Sequence, residues 1–203
     1  MEGCFKYGQG EMEYLAKKDR NMAAVVARFG KIERRVTPDL FEAFVDSIIG
    51  QQISAKAHVT VMGRFRQNFP KITPGALAGA GLEDVRRAGM SVRKASYIIS
   101  VADEIMGGRL NLDELHAMDD EEVCKTLCRL PGVGRWTAEM LMIFSMQRPN
   151  VLSLGDLAIR RGLCRMHGHR EITAGLYEKY KKRYSPFCSV ASLFIWAVAG
   201  EQQ

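Results

Sequence analysis

Leu130-Pro131-Gly132-Val133-Gly134-Arg135-Trp136-Thr137 lies between two stretches of helical apolar spacing, with Val123, Leu127 and Leu130 before it and Ala138, Leu141 and Phe144 after it. Two glycines around one valine make a tight turn, and such a turn leaves backbone N–H groups at a helix N-terminus, where a phosphate can sit. The spacing predicts a helix-hairpin-helix that would clamp a DNA backbone through Gly132, Val133, Gly134, Arg135 and Thr137. A plain junction between two core helices would also use glycines as helix stops. Downstream, a lone Asp156 precedes the apolar and basic run Leu157 to Leu163, which adds a carboxylate to the clamp.

Composition sets outer limits. At 203 residues the chain can bury one sizeable core or two smaller lobes, and its formal charge of +6 suits a polyanionic partner. The longest apolar stretches, Tyr97 to Val101 and Val190 to Ala199, fall short of the roughly 20 residues that span a bilayer. Glu2, Glu11 and Glu13 do not suit a signal peptide, so a cytoplasmic protein is expected. Five scattered cysteines, Cys4, Cys124, Cys128, Cys164 and Cys188, imply no disulfide framework and read as small buried side chains. Cys124 and Cys128 can share a helix face, but no further ligand is spaced for a metal, and His167 with His169 reads as a solvated turn. His58 and His116 carry no signal by themselves.

Nearly every segment has helical periodicity. Thr37 with Pro38 reads as an N-cap and first helical position, opening a helix to Gly50 with Leu40, Phe41, Phe44, Val45, Ile48 and Ile49 on its apolar face. Ser54 caps the next, which Pro70 stops. Another runs from Ser91 to Met106 and ends at Gly107-Gly108. Asp119, Asp120, Glu121 and Glu122 crowd one helix start, where negative charge suits the dipole. Further helices are expected over 157–166, 171–184 and 186–198, with no strand pair and no internal repeat.

With Gly50-Gln51-Gln52-Ile53-Ser54 ahead of the hairpin, and Gly155-Asp156 before Ile159-Arg160-Arg161 behind it, the chain resembles the helix-hairpin-helix DNA glycosylase superfamily. Within that superfamily it is similar to the 3-methyladenine DNA glycosylase II family, from about Pro38 to Trp196. The resemblance implies an all-α fold of two helical lobes with the active site in a cleft between them. Residues 38–149 would form the central bundle, and 1–37 and 150–203 would form the second lobe, the latter carrying the catalytic aspartate. The segment before Pro38 could not supply the N-terminal sheet domain of some relatives.

The implied function is excision of alkylated bases, of the 3-methyladenine and 7-methylguanine type, from double-stranded DNA in base excision repair by a monomeric enzyme. Removing a base breaks a C1′–N bond through an oxocarbenium-like state, so a carboxylate near the sugar stabilises the developing charge. Asp156 suits that task and can also cap the helix behind it. A base within a duplex must be flipped out and its gap filled. The resemblance assigns that wedge to Gln52, with Gln51 beside it. Trp136 and Trp196 match family positions that line the base pocket, and an electron-rich face attracts a cationic base by roughly 1–2 kcal/mol when desolvated. Phe41, Phe44 and Met140 are further candidate walls, each also suited to a core. Candidate basic contacts are Arg93, Lys94, Arg135, Arg160 and Arg161.

Two positions depart from the family pattern. Relatives often have an aromatic residue at the place of Met140 and a basic one at that of Cys188. Some superfamily members hold an iron–sulfur cluster on four closely spaced cysteines, whereas only Cys164 and Cys188 fall in that region here, so no cofactor and no metal are expected. A non-catalytic hairpin module would need neither Asp156 nor the tryptophans. A bifunctional glycosylase and lyase would need a lysine where this chain has Trp136, because an indole cannot form a Schiff base.

Overall fold

A computed structural model describes residues 3–200, and among them the fold consists of twelve α-helices and one 3-10 helix. The all-helical expectation holds, with one isolated antiparallel bridge, Cys4 to Arg35, as the sole β feature of the described residues. The chain divides into two compact units, Met1–Val36 with Met142–Gln203, and Thr37–Leu141.

The first unit opens with α1 (Gln9–Lys18) and α2 (Arg20–Phe29). Asp19, extended at φ −151°, breaks the run between them, and its Oδ1 accepts from the amides of Asn21 and Met22 at 2.9 and 3.3 Å. Leu15 and Met22 are fully buried beneath the pair. The segment after α2 is tied to the chain start, as the Phe5 amide donates to the Arg34 carbonyl at 2.8 Å and the Val36 amide to that of Gly3 at 2.9 Å.

The second unit carries α3 (Leu40–Gly50), α4 (Ala55–Asn68), α5 (Pro74–Ala78), α6 (Leu82–Arg86), α7 (Val92–Met106), the 3-10 turn Asp113–Ala117, α8 (Asp120–Leu127) and the start of α9 (Arg135–Phe144). The cap of α3 is Asp39 and not Thr37, since the Asp39 carboxylate accepts from the Glu42 amide at 2.7 Å. Asp is a stronger N-cap than Thr, and it leaves Pro38 outside the helix. Ser54 caps α4 as expected, Ser91 lies outside α7 as its cap, and Asp119 with Glu122 closes a capping box on α8. Phe41, Phe44, Ile48, Phe65, Ile98 and Leu127 form the core, each worth roughly 1.5–3 kcal/mol of apolar burial.

The first unit resumes after Leu141 with α10 (Leu157–His167), α11 (Ala174–Tyr184) and α12 (Cys188–Gly200). The last is buried over most of its surface. Gly162 lets α10 approach it, as a Cβ there would collide with the Ile195 carbonyl. At the end of α10 the structure overturns one expectation, since His167 is not in a solvated turn. Its side chain is 7% exposed, stacked on Tyr180 at 4.4 Å, with Nε2 3.2 Å from the Tyr184 hydroxyl and 3.6 Å from Asp19 Oδ2. Asp19 Oδ2 also accepts from Arg183 at 2.6 Å and from Tyr184 at 3.0 Å. The cysteines likewise divide, because Cys124 and Cys188 are buried while Cys128 is exposed and Cys4 and Cys164 lie between. Burial, with Cys128 adjoining, pushes the Cys124 thiol up to about 11, and burial raises Cys188 to about 12, so both stay protonated and inert.

Candidate active site and nucleic-acid interface

The hairpin follows α8, and its two glycines serve different ends. Gly132 has φ +80°, and a Cβ added there would lie 2.5 Å from a Tyr97 ring carbon and 3.0 Å from Ile48. Both backbone conformation and packing demand glycine at that position. Gly134 has nothing within 4 Å of its would-be Cβ, so the chain surface beside it is open. Its carbonyl accepts from Ala138 at 2.9 Å, which starts α9 and directs the first-turn amides outward, the arrangement that binds phosphate. Val133 is 6% exposed and anchors the loop, and Thr137 is buried.

Arg135 is held between two carboxylates, with Nε 3.0 Å from Glu139 and a terminal nitrogen 3.3 Å from Glu121, which fixes its guanidinium at the hairpin. Trp136, next in the chain, is 46% exposed although it is a large apolar ring. Met140 is half-buried one turn later. Phe44 and Phe41 are each 2% exposed, with rings 6.3 Å apart, so as the structure stands they belong to the core.

Gln51 and Gln52 part company. Gln51 Nε2 donates to the Gly132 carbonyl at 2.8 Å, joining the end of α3 to the hairpin. Gln52 is exposed and sits at φ +56°, a left-handed conformation few non-glycine residues adopt. Lys94 is half-buried, and its ammonium donates to the carbonyls of Ile49 and Gln51 at 2.9 and 2.5 Å. The negative end of α3 thereby attracts its charge. Arg93, Arg160 and Arg161 are exposed.

In the first unit, Asp156 is 8% exposed and caps α10, its Oδ1 accepting from the amides of Ala158 at 2.8 Å and Ile159 at 2.9 Å. The loop leading to it is bolted down by groups the sequence did not flag. Tyr177 donates to the Leu152 carbonyl at 2.6 Å, and the Ser189 hydroxyl donates to that of Arg148 at 2.5 Å and accepts from the Val151 amide at 3.0 Å. Leu157, next to the carboxylate, is 72% exposed. Trp196 is half-buried and stacks on Phe144, ring centroids 5.4 Å apart at 30°, while the Arg34 guanidinium lies 5.3 Å from the Phe144 ring centre. Phe144 and Arg34 were missed because neither carries a motif; the Arg34 backbone carbonyl accepts from the Phe5 amide. Among the described residues no group of His, Cys, Asp and Glu could hold a metal ion, and no helix is long and apolar enough to cross a membrane.

Comparison with known proteins adds a second line. The chain is 31% identical to DNA-3-methyladenine glycosylase 1 of Schizosaccharomyces pombe over 77% of its own length and 71% of the relative's. It is 30% identical to DNA-3-methyladenine glycosylase 2 of Escherichia coli over 81% of this chain, and spans 59% of that relative. A crystal structure of DNA-3-methyladenine glycosidase from Bacillus halodurans matches with a TM-score of 0.86 at 32% identity, covering 97% of this chain and 92% of the other. The S. pombe 3-methyladenine DNA glycosylase in complex with abasic DNA matches with a TM-score of 0.79 at 27% identity, covering 93% and 95%. Residues 45–186 match the HhH-GPD superfamily of base excision DNA repair proteins, and the chain belongs to that superfamily.

Proposed function

We propose that this protein is a monofunctional DNA glycosylase that binds double-stranded DNA as a monomer and excises alkylated bases of the 3-methyladenine and 7-methylguanine type. The observation that carries the reading is Asp156, a buried carboxylate held at the N-terminus of α10 by two amides on one oxygen. Fixed in that way, it needs no reorganisation when positive charge develops on the sugar.

As the C1′–N bond breaks, its electron pair departs with the base and leaves positive charge shared by C1′ and the ring oxygen. The carboxylate stabilises that charge; water then adds to C1′ and gives up its proton to the surrounding solvent, leaving the abasic sugar. A base alkylated on a ring nitrogen is already cationic, so it leaves neutral without an added proton. A single carboxylate then suffices. The exposed indole of Trp136 and the Phe144-stacked Trp196 are the electron-rich faces that would draw such a cation, each by about 1–2 kcal/mol when desolvated. Gln52 is the group assigned to fill the gap left by flipping, and the hairpin amides with Arg135 and Thr137 are assigned to the phosphates. The names of the relatives support the choice of alkylated purines.

Incubation with methylated duplex DNA, followed by chromatography of what is released, tests the reading. 3-Methyladenine and 7-methylguanine should appear in solution and the strand should stay intact until alkali is added. Borohydride during turnover should trap no protein–DNA adduct, because an indole stands where a lyase needs an amine. Release of no base overturns the activity, and a trapped adduct overturns its monofunctional form.

A further inference from the structure

Lys94 stands at the wrong end of its own helix. It lies in the first turn of α7, three residues after the Ser91 cap, where a positive charge opposes the helix dipole. Partial burial, with Arg93 beside it, holds its amine below the ordinary lysine value. What compensates is α3, whose final turn presents the carbonyls of Ile49 and Gln51 to the ammonium at 2.9 and 2.5 Å. A cation suits a helix C-terminus, and two charge-assisted hydrogen bonds fix the peptide that leads into Gln52.

Gln52 needs that fixing. Its φ of +56° is disfavoured for any residue with a Cβ, and it persists only where the surroundings over-determine it. Packing does little of this work, because the turn borders an open recess of about 280 Å³ lined by Gln51, Gln52, Arg93 and Lys94 among others. Hydrogen bonds supply the rest: Lys94 grips the Gln51 carbonyl, and the Gln51 amide grips the Gly132 carbonyl 81 positions away.

We infer that Lys94 is a positioning residue that presets Gln52 in its left-handed conformation and locks the gap-filling turn to the phosphate-binding hairpin. The inference rests on the gap-filling role proposed above for Gln52. Lys94 itself touches no DNA; it removes from the binding step the cost of ordering the turn, so that the wedge enters the vacated stack already in shape.

A double-mutant cycle of Lys94→Met and Gln52→Gly tests this, read by 2-aminopurine emission beside a 7-methylguanine in duplex DNA and by single-turnover release of that base. Glycine adopts positive φ at no steric cost, so it needs no presetting. Lys94→Met should lower the emission change and the excision rate by roughly tenfold in the presence of Gln52, and by less than twofold in the Gln52→Gly background. Affinity for undamaged duplex and its salt slope should stay unchanged, whereas loss of a phosphate contact would reduce the slope by about one. Lys94→Arg, which keeps the charge and the donors, should restore most of the signal. If Lys94→Met melts far below wild type, Lys94→Gln takes its place in the cycle.

Equal losses in both backgrounds, or a reduced salt slope, overturn the assignment of Lys94 while leaving Gln52 in place. If Gln52→Gly alone changes neither emission nor excision, the gap-filling reading fails and this inference falls with it.

Discussion

One oxygen of Asp156 caps α10, and that duty separates from catalysis by substitution. Asparagine caps a helix about as well as aspartate, so Asp156→Asn should shift the melting temperature by no more than roughly 2 °C. It carries no charge, however, and base excision should fall by at least about 100-fold, the usual scale for losing a preorganised electrostatic group. Asp156→Ala should lose the same activity and about 1 kcal/mol of stability as well. Excision at the wild-type rate by Asp156→Asn would remove the carboxylate from the mechanism. The hairpin glycines diverge in a comparable way. Gly132→Ala meets Tyr97 at a positive φ and should cost about 1–3 kcal/mol of stability. Gly134→Leu meets open space and should leave the fold within about 1 kcal/mol of wild type. It should nevertheless weaken binding to every duplex alike, since phosphates carry no base information; anisotropy titrations on two unrelated sequences compare them.

Among the elements, α2, α10 and α11 meet at one buried polar node. Burial holds His167 below its ordinary value near 6.5, with the attraction of Asp19 opposing that shift and Arg183, His169 and Lys179 adding to it. For Asp19, burial works upward, yet the Arg183 hydrogen bond, His167 and Tyr184 outweigh it and leave the carboxyl below its ordinary 3.8. Asn21 and Tyr180 complete the surroundings, the former 3.1 Å from His167 Nδ1. Unfolded His167 takes up its proton near pH 6.5 while the folded one waits for lower pH, so below that point the unfolded state binds more protons. Stability is therefore full above about pH 7 and falls toward pH 5, and Asp19 adds a second loss as pH drops below about 4. Melting curves at the two higher pH values should show a smaller difference for His167→Gln than for wild type. An unchanged difference would mean that another group drives the acid loss.

For the molecule as a whole, a formal charge of +6 sets the scale of its attraction to a polyanion. Affinity for undamaged duplex should fall by at least roughly tenfold between about 50 and 200 mM salt, as counterions released by a few phosphate contacts require. Affinity indifferent to salt would sink the clamp. The sequence by itself determined what short-range chemistry controls. The caps at Ser54 and Asp156, the helix starts near Ser91 and Asp119, the all-helical class and the hairpin with its family were legible, because a cap or a glycine turn acts within about four residues. Even there competition blurred one boundary, where Asp39 took the cap assigned to Thr37. Tertiary structure alone decided which polar groups would be drawn inward. Lys94 reads as a surface charge until α3 offers it carbonyls 43 and 45 positions away, and His167 reads as a turn until Asp19 and Tyr184, themselves 165 positions apart, close around it. Arg34 carries no signal until Phe144 lies under it. Periodicity records which face of a helix is apolar; which buried polar atom meets which partner depends on chain segments that only packing brings together.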